Sequence, residues 1–225
     1  MAYWAQKTAL TWQIALLLSA NIFLFSCNPA QKQEILPYYN TPDFTPLFIA
    51  DTNEIKNKVK HQIANFAFKD QNNQTITQAS IERKIHVANF FFTSCGSICP
   101  IMTNHMKLID SVFTGDKNIV LLSYSVTPWI DNIRVLKDYA NRYHIKNPNW
   151  HFLTGGKAAI YTLARQSYFA EEDLGFTKDS TNFLHTEHFL LIDQNKRIRG
   201  IYNGTLELEI RQLIKDIEIL KTERN

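Results

Sequence analysis

Asn89-Phe90-Phe91-Phe92-Thr93-Ser94-Cys95-Gly96-Ser97-Ile98-Cys99-Pro100 is an apolar, strand-like run that ends in two cysteines four positions apart. The stretch 85–92 is rich in Val, Ile and Phe, the composition of a central strand buried on both faces. Pro100 suits a first helical turn, so a helix is expected to start near 97–100 and run through Met106 and Ile109. The third cysteine of the chain, Cys27, lies far away. Two thiols just past the end of a buried strand can close into a disulfide, carry electrons or hold a soft metal ion. At a helix start the free amides and the helix dipole favour negative charge, which makes a thiolate there easier to form.

Outward from this junction the pattern is regular. Segments 63–68 and 75–77, joined by a polar stretch, predict a hairpin. Residues 118–126 read as the next strand, and 131–143 as an amphipathic helix with Asp131 at its start. A short strand at 150–153 and a helix at 157–167 follow. Segments 188–193 and 197–202 form a terminal hairpin, and 206–220 is a closing helix with apolar residues at helical spacing. Strands alternating with helices, then a hairpin and a helix, predict α/β layers around a mixed central sheet. That order matches a thioredoxin-like fold with helices flanking the sheet and an added N-terminal hairpin.

The 225 residues are 45% hydrophobic and 20% charged, which fits one domain plus accessory segments. Fifteen Phe and nine Tyr can fill a sizeable core. The net charge of +3 is small and its basic residues are interspersed with acidic ones, so no nucleic-acid surface is expected. At the N-terminus a charge at Lys7, an apolar middle over 8–25 and the ending Leu24-Phe25-Ser26-Cys27 describe a secretory signal. That ending resembles the lipobox of bacterial lipoproteins, in which the cysteine is lipidated and becomes the first residue, although Phe25 is bulkier than the motif usually carries. An uncleaved membrane anchor is the other reading, with Gln13 and Asn21 interrupting the span. Both tether the domain in the cell envelope, on the outer side of the cytoplasmic membrane, where cysteines can be oxidised. The expected layout is a signal peptide over 1–27, a tether over 28–57 containing Pro29, Pro37, Pro42 and Pro46, and a folded domain over 58–225.

On a helical segment Cys95 and Cys99 point the same way, and two thiolates form a soft set that favours Cu(I). Structural zinc normally takes four ligands, and the chain has no second cysteine pair. Inert buried cysteines or a plain stabilising disulfide would not explain a place at a strand-to-helix junction. A third ligand must come from the histidines at 61, 86, 105, 144, 151, 185 and 188. His61, beside Lys58 and Lys60, reads as surface; His86 and His151 lie near strand starts and His144 at a helix end. His105 is six residues past Cys99 and would point away from it. His185 lies in the loop before the strand 189–193, which in a thioredoxin-like layout sits opposite the cysteine turn. It is favoured over His188, which falls within the strand.

The stretch 93–100 resembles the Thr-x-Cys-Pro-x-x-Cys-Pro motif of the Sco/SenC copper-chaperone family. Ser123-Tyr124-Ser125-Val126-Thr127-Pro128 with Asp131, Trp150-His151-Phe152-Leu153-Thr154-Gly155, and His185-Thr186 before an apolar strand are similar to three further family segments. The resemblance spans 63–220. It implies that Cys95, Cys99 and His185 bind copper, Cu(I) mainly through the thiolates and Cu(II) with the imidazole added. It also implies delivery of copper to the CuA centre of cytochrome c oxidase, or reduction of that centre's cysteines before metallation. The partner is then the oxidase subunit carrying CuA, or another copper acceptor. Gly96 replaces the family's proline, and Thr127 its aspartate.

The competing reading is a thiol-disulfide oxidoreductase or thiol peroxidase of the cell envelope, with Cys95 and Cys99 as a redox-active pair. Against it, three residues separate the cysteines rather than the two of Cys-x-x-Cys, and no arginine stands close in sequence to assist a peroxidatic thiolate. The remaining reading is a tethered interaction module with an inert disulfide. The balance favours a metallochaperone over an enzyme.

Overall fold

Ile85–Phe91 and Ile119–Ser125 are buried at every position, as strands covered on both faces must be. The structure is a computed structural model that describes residues 35–170 and 186–223. Cys27 and His185 lie outside the described residues. The first half comprises β1 (Tyr38–Tyr39), β2 (Pro46–Leu47), α1 (Thr52–Lys58), β3 (Ala67–Asp70), β4 (Thr75–Thr77), β5 (Ile85–Phe91) and α2 (Ile98–Val112). Then come β6 (Ile119–Ser125), α3 (Ile133–Arg142), β7 (Trp150–Thr154), α4 (Lys157–Thr162), β8 (His188–Ile192), β9 (Ile198–Asn203) and α5 (Glu207–Thr222).

The strands form one sheet in the order β2-β1-β9-β8-β5-β6-β7-β3-β4. β5, β6 and β7 are parallel, whereas β8 is antiparallel to β5 and β9 to β8. This is the mixed α/β sheet expected of a thioredoxin-like fold, with the hairpin β3–β4 added beside β7. Alternation along β5 sends Val87 and Phe91 into one core layer with Met102 and Met106 of α2 and Leu213 and Ile217 of α5. Ala88 and Phe90 face the other layer with Tyr124, Ile160 and Tyr168. A polar chain crosses the three parallel strands inside the first layer. Trp150 Nε1 donates to Ser123 Oγ at 3.1 Å, and Ser123 Oγ donates to Asn89 Oδ1 at 2.7 Å. Because these buried groups are satisfied only in one register, they specify how the strands align.

Several expectations need correction. Residues 35–57, ahead of the expected boundary at 58, already carry regular structure. Tyr39 pairs with Ile198 on the edge of β9, β2 folds back on β1, and Tyr38, Ile49, Ile55 and Val59 pack together. Among the described prolines, Pro46 lies on the outermost strand of the sheet, a position where proline is tolerated. Asp131 does not begin α3. Asn132 caps that helix, its side chain accepting from Val135 N at 3.1 Å, while Asp131 is fully buried. The first hairpin strand starts at Ala67, four residues later than expected from 63, and Asp70 Oδ1 closes the turn by accepting from the amides of Asn72 and Gln74. The helix expected over 157–167 is regular only to Thr162, beyond which Leu163–Ser167 widens into a π turn. No helix among the described residues is long and apolar enough to cross a membrane.

Candidate metal centre

A helix start leaves backbone N–H groups without intrahelical partners. At α2 the residue in the capping position, Ser97, supplies no side-chain cap. The Cys95 sulfur lies at this turn, where the backbone N–H groups of Cys99, Ser97 and Ile98 and the Cys99 thiol favour its charged form. Burial alone would raise the Cys95 pKa, but these donors outweigh it and hold the thiol below its ordinary value. Cys99 sits in the first turn of the helix and is 3% exposed. Burial pushes its thiol up to about 12, and the adjoining Cys95 adds to the rise. Both cysteines are free thiols. The outer sulfur is thus the ready nucleophile and the inner one holds its proton until a metal or an oxidant removes it.

The loop that carries Cys95 is held from beneath. Cys95 N donates to the Phe92 carbonyl at 3.3 Å. Thr93 donates to the Asp131 carboxylate through its hydroxyl at 2.5 Å and its backbone N–H at 3.2 Å. The same carboxylate accepts from Ser125 Oγ at 2.6 Å and Thr127 Oγ1 at 2.9 Å. Behind Cys99, Thr103 Oγ1 donates to the Cys99 carbonyl at 2.8 Å and bonds the Tyr139 hydroxyl at 2.7 Å. A Cβ at Gly96 would meet no atom within 4 Å, so nothing steric requires glycine there and the outer side of the turn is open.

The unequal thiols give a direct expectation. Limiting iodoacetamide at neutral pH should label Cys95 at least about tenfold faster than Cys99 in reduced protein. Peptide mass spectrometry reads the ratio, and equal labelling would contradict the sulfur placement.

The profile of the SCO1/SenC family matches residues 54–221. The chain belongs to the SCO1/SenC family. A SCO1 protein homolog of Bacillus subtilis (strain 168) is 28% identical over 171 residues, 75% of this chain and 88% of the relative. The solved structure of BsSco, described as a member of the Sco family of cytochrome c oxidase assembly proteins with a disulfide switch, is 25% identical with a TM-score of 0.61. It covers 74% of this chain and 96% of its own. Bradyrhizobium japonicum ScoI, solved with copper bound, shares the fold at a TM-score of 0.56 and 22% identity, over 72% of this chain and 99% of its own.

Within this SCO1/SenC fold the described histidines have other occupations. His86 is fully buried in β5 at 3.1 Å from the Tyr168 hydroxyl, and burial lowers its pKa to about 3. His105 Nδ1 bonds the Gly204 carbonyl at 2.7 Å. His144 takes a left-handed conformation just past α3, and His151 Nδ1 is 3.0 Å from Asp70 Oδ2. His61, expected at the surface, is instead partly buried. Its ring stacks on Phe169 at 4.1 Å and its Nε2 bonds the Ser167 carbonyl at 2.7 Å. His188 opens β8 as expected, and its ring lies against Phe44, which packs on the second core layer. Its neighbour Phe189 faces the first layer, the one that contains Cys99. His188 and Cys99 therefore point to opposite faces of the sheet. Among the described residues no three His, Cys, Asp or Glu side chains group to hold a metal ion. Sequence reasoning missed the Asp131 cluster and the Thr103–Tyr139 support. The family-like segment 123–128 with Asp131 was the available signal for the first; the second had none.

Proposed function

We propose that this SCO1/SenC protein is a copper-binding metallochaperone of the cell envelope, with Cys95, Cys99 and His185 as ligands. The acceptor is the cytochrome c oxidase subunit that carries CuA. The observation that supports this most is the pair of free thiols at the start of α2, a soft donor set for Cu(I) as cargo. His188 turns to the other face and no described histidine groups with the cysteines, which favours His185 for the imidazole that Cu(II) would add. The domain is carried at the membrane by a lipid on Cys27. Mass spectrometry of the mature protein tests this, since an intact Met1 or an unlipidated Cys27 would rule it out.

The unequal thiols favour a second role at the same site, reduction of the acceptor's cysteines before metallation. Cys95 thiolate attacks one sulfur of the acceptor disulfide, forming a mixed disulfide and releasing the other as thiolate. Cys99 then passes its proton to that released thiolate and attacks Cys95 Sγ, expelling the acceptor's second sulfur as thiolate, so that the acceptor ends with its two cysteines reduced and this chain with a Cys95–Cys99 disulfide. The groups that lower Cys95 are amides and a thiol, not an arginine, which does not favour a peroxidase.

Replacing His185 by Ala should weaken Cu(II) binding by more than the roughly 100-fold that loss of an outer partner of a metal ligand can cost, with a smaller effect on Cu(I). His188→Ala should change neither. Competition titrations with each copper ion decide, and the opposite assignment follows if only His188→Ala weakens Cu(II).

A further inference from the structure

We infer that Asp131 is a positioning residue for the cysteine pair, acting through Thr93 to hold Cys95 over the amides of α2. The side chain is 0% exposed, yet its carboxylate is held by three hydroxyls and one backbone amide, with no cation among those partners. Burying a carboxylate is costly unless it is fully hydrogen-bonded, so a packing role alone would be served better by an apolar side chain. The partners divide into two groups. Ser125 and Thr127 belong to the end of β6 and the loop after it, and fix the carboxylate itself. Thr93 is two residues before Cys95 and contributes both its hydroxyl and its N–H.

Beyond Thr93 the chain has few restraints before α2 begins. Cys95 N reaches the Phe92 carbonyl at 3.3 Å, Gly96 has open space around it, and Ser97 provides no cap. The segment between Thr93 and Ile98 is therefore suspended between two fixed ends, the Asp131 bonds on one side and the first turn of α2 on the other. Cys95 keeps its place beside the first amides of α2 only while both ends hold. Loss of the Thr93 tie lets the sulfur leave its donors, which destabilises the reduced form and favours the disulfide. This deepens the reading of Cys95 and Cys99 as the reactive pair and rests on it, but the effect on the dithiol–disulfide balance needs no copper.

The test separates the two groups of partners. Thr93→Val removes the hydroxyl on the cysteine side, whereas Thr127→Val removes one on the β6 side. Each full-length variant is equilibrated in dithiothreitol redox buffers and alkylated, its disulfide fraction is read by mass, and its urea unfolding is measured alongside. Thr93→Val should shift the equilibrium about tenfold toward disulfide, about 30 mV more negative. Thr127→Val should lower stability by a similar amount yet leave the potential within about 10 mV, near twofold in the same equilibrium. Asp131→Asn, which keeps one acceptor oxygen, should fall between wild type and Asp131→Ala. If Asp131→Ala does not fold, the two threonine variants decide alone. A wild-type potential in Thr93→Val, or equal shifts in both threonine variants, overturns the role. A wild-type protein that fails to bind Cu(I) while Thr93→Val still shifts the potential would count against the metallochaperone and support the positioning. Tight copper binding with no shift in Thr93→Val would do the reverse.

Discussion

Replacing either Cys95 or Cys99 by serine should lower Cu(I) affinity by at least about 1,000-fold. Thiolate-rich metal sites bind with apparent energies of about 10–16 kcal/mol spread over four ligands, so one thiolate carries roughly 3–4 kcal/mol, and more where only two are shared. A serine hydroxyl is hard, neutral at this pH and a poor replacement for Cu(I). The two variants should differ in pH dependence. Burial keeps the Cys99 thiol protonated up to about 12 in the metal-free protein, so copper must displace that proton. Below that pKa the affinity of the wild type should rise about tenfold per pH unit from this group alone. Cys99→Ser should lose that part of the slope, while Cys95→Ser should keep it, because the proton to be displaced is on Cys99. Competition titrations between pH 6 and about pH 8 read both the loss and the slope. Unchanged Cu(I) affinity in Cys95→Ser would remove the cysteine pair from the binding site.

The second large effect is on stability. Arg199 is 1% exposed and joins the two ends of the folded domain. It donates to both Glu223 oxygens at 2.6 and 2.9 Å, to the Pro37 carbonyl at 3.0 Å and to the Leu36 carbonyl at 2.9 Å. Its guanidinium also lies 3.9 Å from the Tyr38 ring centroid and 3.6 Å from Asp193 Oδ2. Arg199→Ala should destabilise the protein by about 3–5 kcal/mol, because it strands buried carboxylates and carbonyls rather than only deleting a favourable pair. The residual burden falls on Asp193, whose carboxyl burial already raises despite the help of Arg197 and Arg199. Arg199→Met should recover part of the loss by refilling the volume. Urea unfolding measures the difference, and limited proteolysis should open the chain near 35–39 first. A loss below about 1 kcal/mol would mean that the N-terminal hairpin is not an integral part of the fold.

Local patterns account for what the sequence reveals. β5, β6, α2 and the terminal hairpin are visible because their apolar runs and periodicities lie within single short windows. The reactive pair is legible for the same reason: strand, turn, both cysteines and helix start fall within 89–100. What escapes depends on distant partners. The hairpin at 38–47 hides behind prolines that an edge strand accepts. Asp131 and Asn132 are both capping residue types in adjacent positions, and only the remote contact with Thr93 decides that Asn132 caps the helix. His61 sits between lysines in sequence but stacks on Phe169 in space. The split between the two thiols needs to be seen in three dimensions, because spacing alone does not say which sulfur lies over the helix amides.

Anaerobic titration of the reduced protein with Cu(I) against a chromophoric chelator decides whether Cys95 and Cys99 together hold copper. The expected result is one tightly bound copper per chain, sulfur-ligated by X-ray absorption, and none once Cys95 and Cys99 are joined as a disulfide. The contradicting result is a reduced protein that leaves Cu(I) with the chelator, or one whose affinity is unchanged by oxidation of the pair.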